Sequence, residues 1–182
     1  MSAEASRARL LELLRERSFA RKRVVLASGR ESDFFVDCKQ TVLTAEGHAL
    51  VGELMLDAVQ PFSPAAVAGV ELGGCPLASA VALTSFLRGA PLDAIYVRKD
   101  AKDHGSRRDL EGNTRLAPGS RVALLEDVVT TGGSTLKAIE KAREAGLKVD
   151  RVCVLVDRLE GGREAVEKEV PLSALFTRED FR

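Results

Sequence analysis

The sequence predicts an α/β protein with a mostly parallel central sheet flanked by helices, preceded by a small N-terminal sheet. Two observations carry that expectation. The apolar runs Ala65–Val70, Val122–Leu125 and Val149–Val156 are continuous rather than alternating, as strands buried on both faces require. Segments with helical spacing separate them, and repeated strand–helix–strand units indicate a parallel sheet covered on both sides.

Each element follows from local pattern. Leucines 10, 11 and 14 in MSAEASRARLLELLRER suit an amphipathic first helix. Two short extended pieces, Val24–Leu26 and Phe34–Cys38, flank the turn-rich ASGRESD at 27–33. A helix is expected over Thr44–Val59, a strand over Ala65–Val70 and an almost wholly apolar helix over Pro76–Leu87. A strand at Asp93–Arg98 leads into a polar excursion, Lys99–Pro118, long enough to be either a functional lid or a partly disordered segment. Then come a strand at Arg121–Glu126, a helix at Ser134–Ala145 and a strand at Val149–Val156. A short helix at Arg163–Glu169 and an extended stretch at Ser173–Phe176 complete the chain. The absence of repeats and low-complexity linkers points to one domain over 1–182.

Composition excludes several classes of function. Lys plus Arg and Asp plus Glu are both 27, so no net charge favours nucleic acid or an anionic membrane. The N-terminus carries charge throughout and lacks the apolar core of a signal peptide. The longest apolar helix candidate is shorter than the ~20 residues a bilayer span requires. Cys38, Cys75 and Cys153 are dispersed, without zinc-ligand spacing, and read as free thiols in a reducing compartment; a cytoplasmic location is expected.

The chemistry concentrates in VALLEDVVTTGGST, 122–135, where a buried strand runs into two acids, a glycine pair and a helix start. Gly132 and Gly133 permit close backbone approach, and the first amides of the following helix attract phosphate. Hydroxyls of Thr130, Thr131, Ser134 and Thr135 add donors, while Glu126 and Asp127 can accept from sugar hydroxyls or hold Mg²⁺ through water. The block thus describes a sugar-phosphate site. A strand ending in solvated acids, a turn and a helix cap would use the same residues. It is not a Walker A loop, because GxxxxGK[ST] spacing is missing.

LLEDVVTTGGST resembles the phosphoribosyl pyrophosphate signature of the type I phosphoribosyltransferases. That likeness implies binding of ribose and its 5-phosphate by Glu126, Asp127, Val128, Val129, Thr130, Thr131, Gly132, Gly133 and Ser134. RKDAKDHG, 98–105, followed by LEG, resembles the catalytic loop of orotate phosphoribosyltransferases. The resemblance implies pyrophosphate contacts from Arg98, Lys99, Lys102 and His104, with Lys102 closest to catalysis beside Glu126 and Asp127. It also implies a mobile loop at about 99–118 that closes over a partner subunit, hence a homodimer.

SGRESDFFVDCK, 28–39, resembles the family's hood motif, contributed here by about 20–40, with an aromatic near Phe35 against the pyrimidine. VLVDR, 154–158, resembles the strand end whose arginine, Arg158, pairs with the orotate carboxylate, helped by Thr130. Taken singly, SGRES also reads as a hairpin turn and Arg158 as a solvated strand end. Two departures stand out: Ala27 and the Gly73 region (ELGGCP, 71–76) occupy places where many members carry lysine.

The resemblance implies a magnesium-dependent enzyme, with Mg²⁺ carried mainly by the substrate, that converts orotate and phosphoribosyl pyrophosphate to orotidine 5-phosphate in pyrimidine (UMP) biosynthesis. A purine phosphoribosyltransferase would share 122–135 but not the hood or Arg158. A regulator that senses phosphoribosyl pyrophosphate and binds nucleic acid would not need the basic loop, and the zero net charge opposes it.

Overall fold

The computed structural model describes residues 2–25, 31–99 and 109–182. Helix α1 (Ala3–Arg17) begins at Ser2, whose hydroxyl accepts from the Ala5 amide, and buries Leu10, Leu13 and Leu14. Strands β1 (Phe19–Val25) and β2 (Glu31–Val36) form a separate antiparallel pair. β1 starts earlier than its apolar residues suggest because Phe19 belongs to an aromatic cluster. Its ring lies 5.1 Å from Phe34 and 5.4 Å from Phe181, near the C-terminus.

A one-turn helix, α2 (Lys39–Val42), escapes periodicity because it is too short to show any. Helix α3 (Ala45–Val59) is capped by the Thr44 hydroxyl, which accepts from the Gly47 amide. Then follow β3 (Ala66–Val70), α4 (Gly74–Leu87), β4 (Asp93–Val97), β5 (Leu110–Glu111), β6 (Arg121–Val129) and α5 (Gly133–Glu144). The chain ends with β7 (Lys148–Asp157), α6 (Gly162–Val166), β8 (Leu172–Thr177) and a 3-10 turn, Arg178–Phe181.

The main sheet has the order β5-β4-β3-β6-β7-β8 and is parallel except for β5, which pairs antiparallel with β4. β5 lies within the expected 99–118 excursion. Burying Leu110 beside Val97 gives that segment an edge strand too short to read from sequence.

Strand side chains alternate between two cores. Ala123, Leu125 and Leu155 join α1, α3 and α4 through Leu14, Met55 and Leu77. Val122, Leu124 and Val154 join α5 and α6 through Ile139, Ala142 and Val166.

Strand order reverses between β3 and β6. β3 connects outward to β4, and β6 connects the other way to β7, so a crevice opens at their carboxyl ends. Ligands of parallel α/β sheets bind at such a switch point. Its walls are the β3–α4 and β6–α5 turns.

Candidate active site

The β6–α5 turn takes its shape from Gly132, whose φ of +81° lies in the left-handed region. The turn is pinned from behind by α6, where a Cβ on Gly162 would stand 2.6 Å from the Thr130 carbonyl oxygen. α6 is itself held by Arg163, whose Nε donates to the fully buried Asp157 carboxylate at 2.8 Å. Gly133 instead faces open space, as a surface meant for a ligand would. With Ser134 exposed beside it, the start of α5 presents the backbone amides of its first turn to the crevice.

β6 runs past the expected end at Glu126 to Val129, so both acids lie within it, and the strand's alternation sends them apart. Glu126, 5% exposed, accepts from the Thr135 hydroxyl at 3.1 Å and from Ser134 at 3.4 Å, on the α5 side. Burial, reinforced by the neighbouring Asp127 charge, pushes its carboxyl up to about 8 despite those hydroxyl bonds.

Asp127 abuts the β3–α4 turn on the other side. A Cβ on Gly73 would stand 2.1 Å from its carboxyl group. Burial raises Asp127 as well, while the Lys39 ammonium and the Val128 amide at 2.9 Å oppose the rise. Lys39, at the start of α2, is fixed by an ion pair with Asp37 at 2.6 Å. No side chain fits at position 73 while Asp127 holds this position, which is a steric reason for glycine there.

Arg158 closes β7 and joins the hood to the main sheet. It is buried; its Nη2 donates to the Phe34 carbonyl at 2.8 Å and pairs with Glu160 at 3.0 Å. Phe34 points into the aromatic cluster, and Phe35, next along β2, is half-buried. Thr130, half-buried, follows β6, and the Arg158 amide donates to the adjacent Val129 carbonyl at 3.1 Å. Hood, β6 end and β7 end therefore meet through Arg158.

Arg98 and Lys99 follow β4. The Lys99 amide donates to Glu71 at 2.8 Å, tying this stem to the β3–α4 turn. A cavity of about 180 Å³ lies between them and α5, lined by Glu71, Arg98, Lys99, Ser134, Lys137 and Lys141 among others. It brings the expected 5-phosphate turn and the expected pyrophosphate stem to one space. Lys102, His104, Ala27 and the SGR of the hood motif lie outside the described residues.

Comparison with known proteins agrees with this geometry. A model of the phosphoribosyl transferase domain matches residues 41–175. An orotate phosphoribosyltransferase of Sorangium cellulosum is 68% identical over 97% of this chain and 93% of that protein. The chain belongs to the orotate phosphoribosyltransferase family.

The family's solved structures share the fold described above. The Mycobacterium tuberculosis H37Rv orotate phosphoribosyltransferase in complex with Fe(III) dicitrate superposes with a TM-score of 0.83 at 38% identity. It covers 97% of this chain and 98% of its own. The same enzyme in complex with 5-phospho-α-D-ribosyl 1-diphosphate gives a TM-score of 0.78 at 34% identity, with the same coverage of both chains.

Three residues beside the crevice were not singled out from sequence: Lys39, Gly73 as a seat for Asp127, and Lys141. For Gly73 a signal was present. A strand followed by a glycine pair that opens a helix occurs at ELGGCP as it does at VVTTGGST.

Proposed function

We propose that this chain transfers the ribose 5-phosphate group of phosphoribosyl pyrophosphate to orotate, forming orotidine 5-phosphate and pyrophosphate. The observation that carries the reading is the crevice at the β3/β6 switch point, with the Thr130–Ser134 turn, two acids and the Arg98–Lys99 stem around it. In this reading the turn takes the 5-phosphate through α5 amides and hydroxyls. Arg158 and Thr130 orient the orotate carboxylate, with Phe35 near the ring. Arg98, Lys99, Lys102 and His104 meet the pyrophosphate.

The N1–C1 bond forms as the bond from C1 to the pyrophosphate oxygen breaks and the N1 proton passes to solvent or to the departing pyrophosphate, so positive charge develops on the ribose while the leaving oxygen gains negative charge. Asp127 and Glu126 face the first change. A cationic ring favours the ionised form of Glu126, which burial alone disfavours. Lys102 faces the second, and orientation plus charge stabilisation accounts for the rate.

Among the described residues no three His, Cys, Asp or Glu side chains group to hold a metal. Asp127 and the hydroxyl-rich turn would hold an Mg²⁺ ion carried by the diphosphate, and the ion would supply neutralisation of the leaving charge.

We further read the chain as one domain and as a homodimer in the cytoplasm. Leu83, Phe86 and Leu87 on α4 are 58–74% exposed, together with Leu72 in the preceding turn; large exposed apolar side chains suit burial by a partner copy. Among the described residues no helix is long and apolar enough to cross a membrane, and all three cysteines are free thiols.

The test is loss of orotate absorbance on adding phosphoribosyl pyrophosphate and Mg²⁺, beside adenine and hypoxanthine controls. Orotate alone should be consumed. Turnover of a purine alone, or of no base, would sink the reading.

A further inference from the structure

Lys141 lies on α5, beyond the phosphate turn, and sits outside every motif that identified the family. Its ammonium has three hydrogens, and three acceptors surround it. The Arg98 carbonyl is at 2.8 Å, the Lys99 carbonyl at 3.0 Å and an Asp109 carboxylate oxygen at 2.8 Å. The side chain is 21% exposed, so these bonds are partly shielded from solvent.

The same stem is fixed from its other side. The Arg98 amide donates to the Asp109 carbonyl at 2.8 Å, and the Lys99 amide donates to Glu71 at 2.8 Å. Two consecutive residues of a segment leaving the sheet thus have both backbone amides and both carbonyls bonded. A surface ion pair with Asp109 would need none of the carbonyl bonds.

We propose that Lys141 is a positioning residue for the diphosphate end of the substrate. By holding the Arg98 and Lys99 carbonyls it fixes where their cationic side chains leave the backbone, relative to the Ser134 end of the same helix. Helix α5 then acts as a ruler: its first turn meets the 5-phosphate and its third turn sets the cations for the pyrophosphate. This inference rests on the proposed function for the identity of the anion.

Lys141→Met keeps the length and apolar stem of the side chain but removes all three donors; Lys141→Arg restores charge and donors. Calorimetry on the intact protein with Mg²⁺ should show phosphoribosyl pyrophosphate and inorganic pyrophosphate each binding about 10-fold more weakly to Lys141→Met. Ribose 5-phosphate should bind within about twofold of the wild type, and Lys141→Arg should recover most of the loss.

Equal weakening of ribose 5-phosphate would show a general structural role and overturn the proposal, as would unchanged pyrophosphate binding. Because these readouts are binding constants, they decide the role of Lys141 even if orotate turnover fails. Failure of turnover in the wild type would count against the proposed function instead.

Discussion

Two strand-to-helix turns wall the crevice, and each uses a pair of glycines for a different physical reason. In the β6–α5 turn, Gly132 is required for backbone shape, at a φ of +81°. In the β3–α4 turn, Gly73 has an ordinary helical φ of −68°, and glycine is required there for space. Its missing side chain is where the Asp127 carboxyl sits, and that of Gly74 is where the Leu125 carbonyl oxygen sits, 2.3 Å from a built Cβ. One turn is shaped by a left-handed glycine and, in the proposed function, receives the phosphate; the other is thinned to receive the neighbouring strand and its acid.

That contrast is broken most severely at Gly74. Gly74→Ala drives a methyl group into β6 backbone, which cannot rotate away, and should cost roughly 3 kcal/mol of stability, read by denaturant unfolding. A loss under about 1 kcal/mol would show that the turn has slack.

Gly73→Ala meets a side chain instead of backbone, so Asp127 moves and the fold survives. We expect kcat/KM to fall about 100-fold with a much smaller change in stability than in Gly74→Ala. Full activity would remove the Asp127 position from the mechanism.

The acids provide a pH test. Between the ordinary 4.5 of a glutamate and about 8, the unfolded chain has Glu126 ionised while the folded chain keeps its proton. Stability without substrate therefore falls as pH rises through that window. Glu126→Gln removes the buried ionisation but leaves an acceptor for Thr135. Its stability relative to wild type should grow from pH 5 to pH 8, by up to a few kcal/mol. A constant difference in thermal melts would contradict the buried, protonated state.

The smallest effects compare the glycines of the β6–α5 turn. Gly132→Ala forces a left-handed alanine and should cost about 1–2 kcal/mol. Gly133→Ala points into open space and should change stability by under about 0.5 kcal/mol. Any loss of phosphoribosyl pyrophosphate affinity in Gly133→Ala then reports ligand approach rather than folding.

The sequence by itself determined the order of strands and helices, the glycine turn after β6 and the family. These rest on local signals: continuous apolar runs, helical spacing and motifs within a dozen residues. It did not reveal α2 or β5, which are too short for periodicity to register.

Only the tertiary structure separated Glu126 from Asp127, which the strand pleat sends to opposite faces. It alone showed that Gly73 is a seat for Asp127, that Arg158 holds the Phe34 carbonyl and that Lys141 holds Arg98 and Lys99. Each of these contacts joins residues more than 40 positions apart, on elements that meet only once the sheet has ordered its strands. Local pattern predicts which residues form an element; the partner each side chain meets is decided by which elements the fold sets side by side.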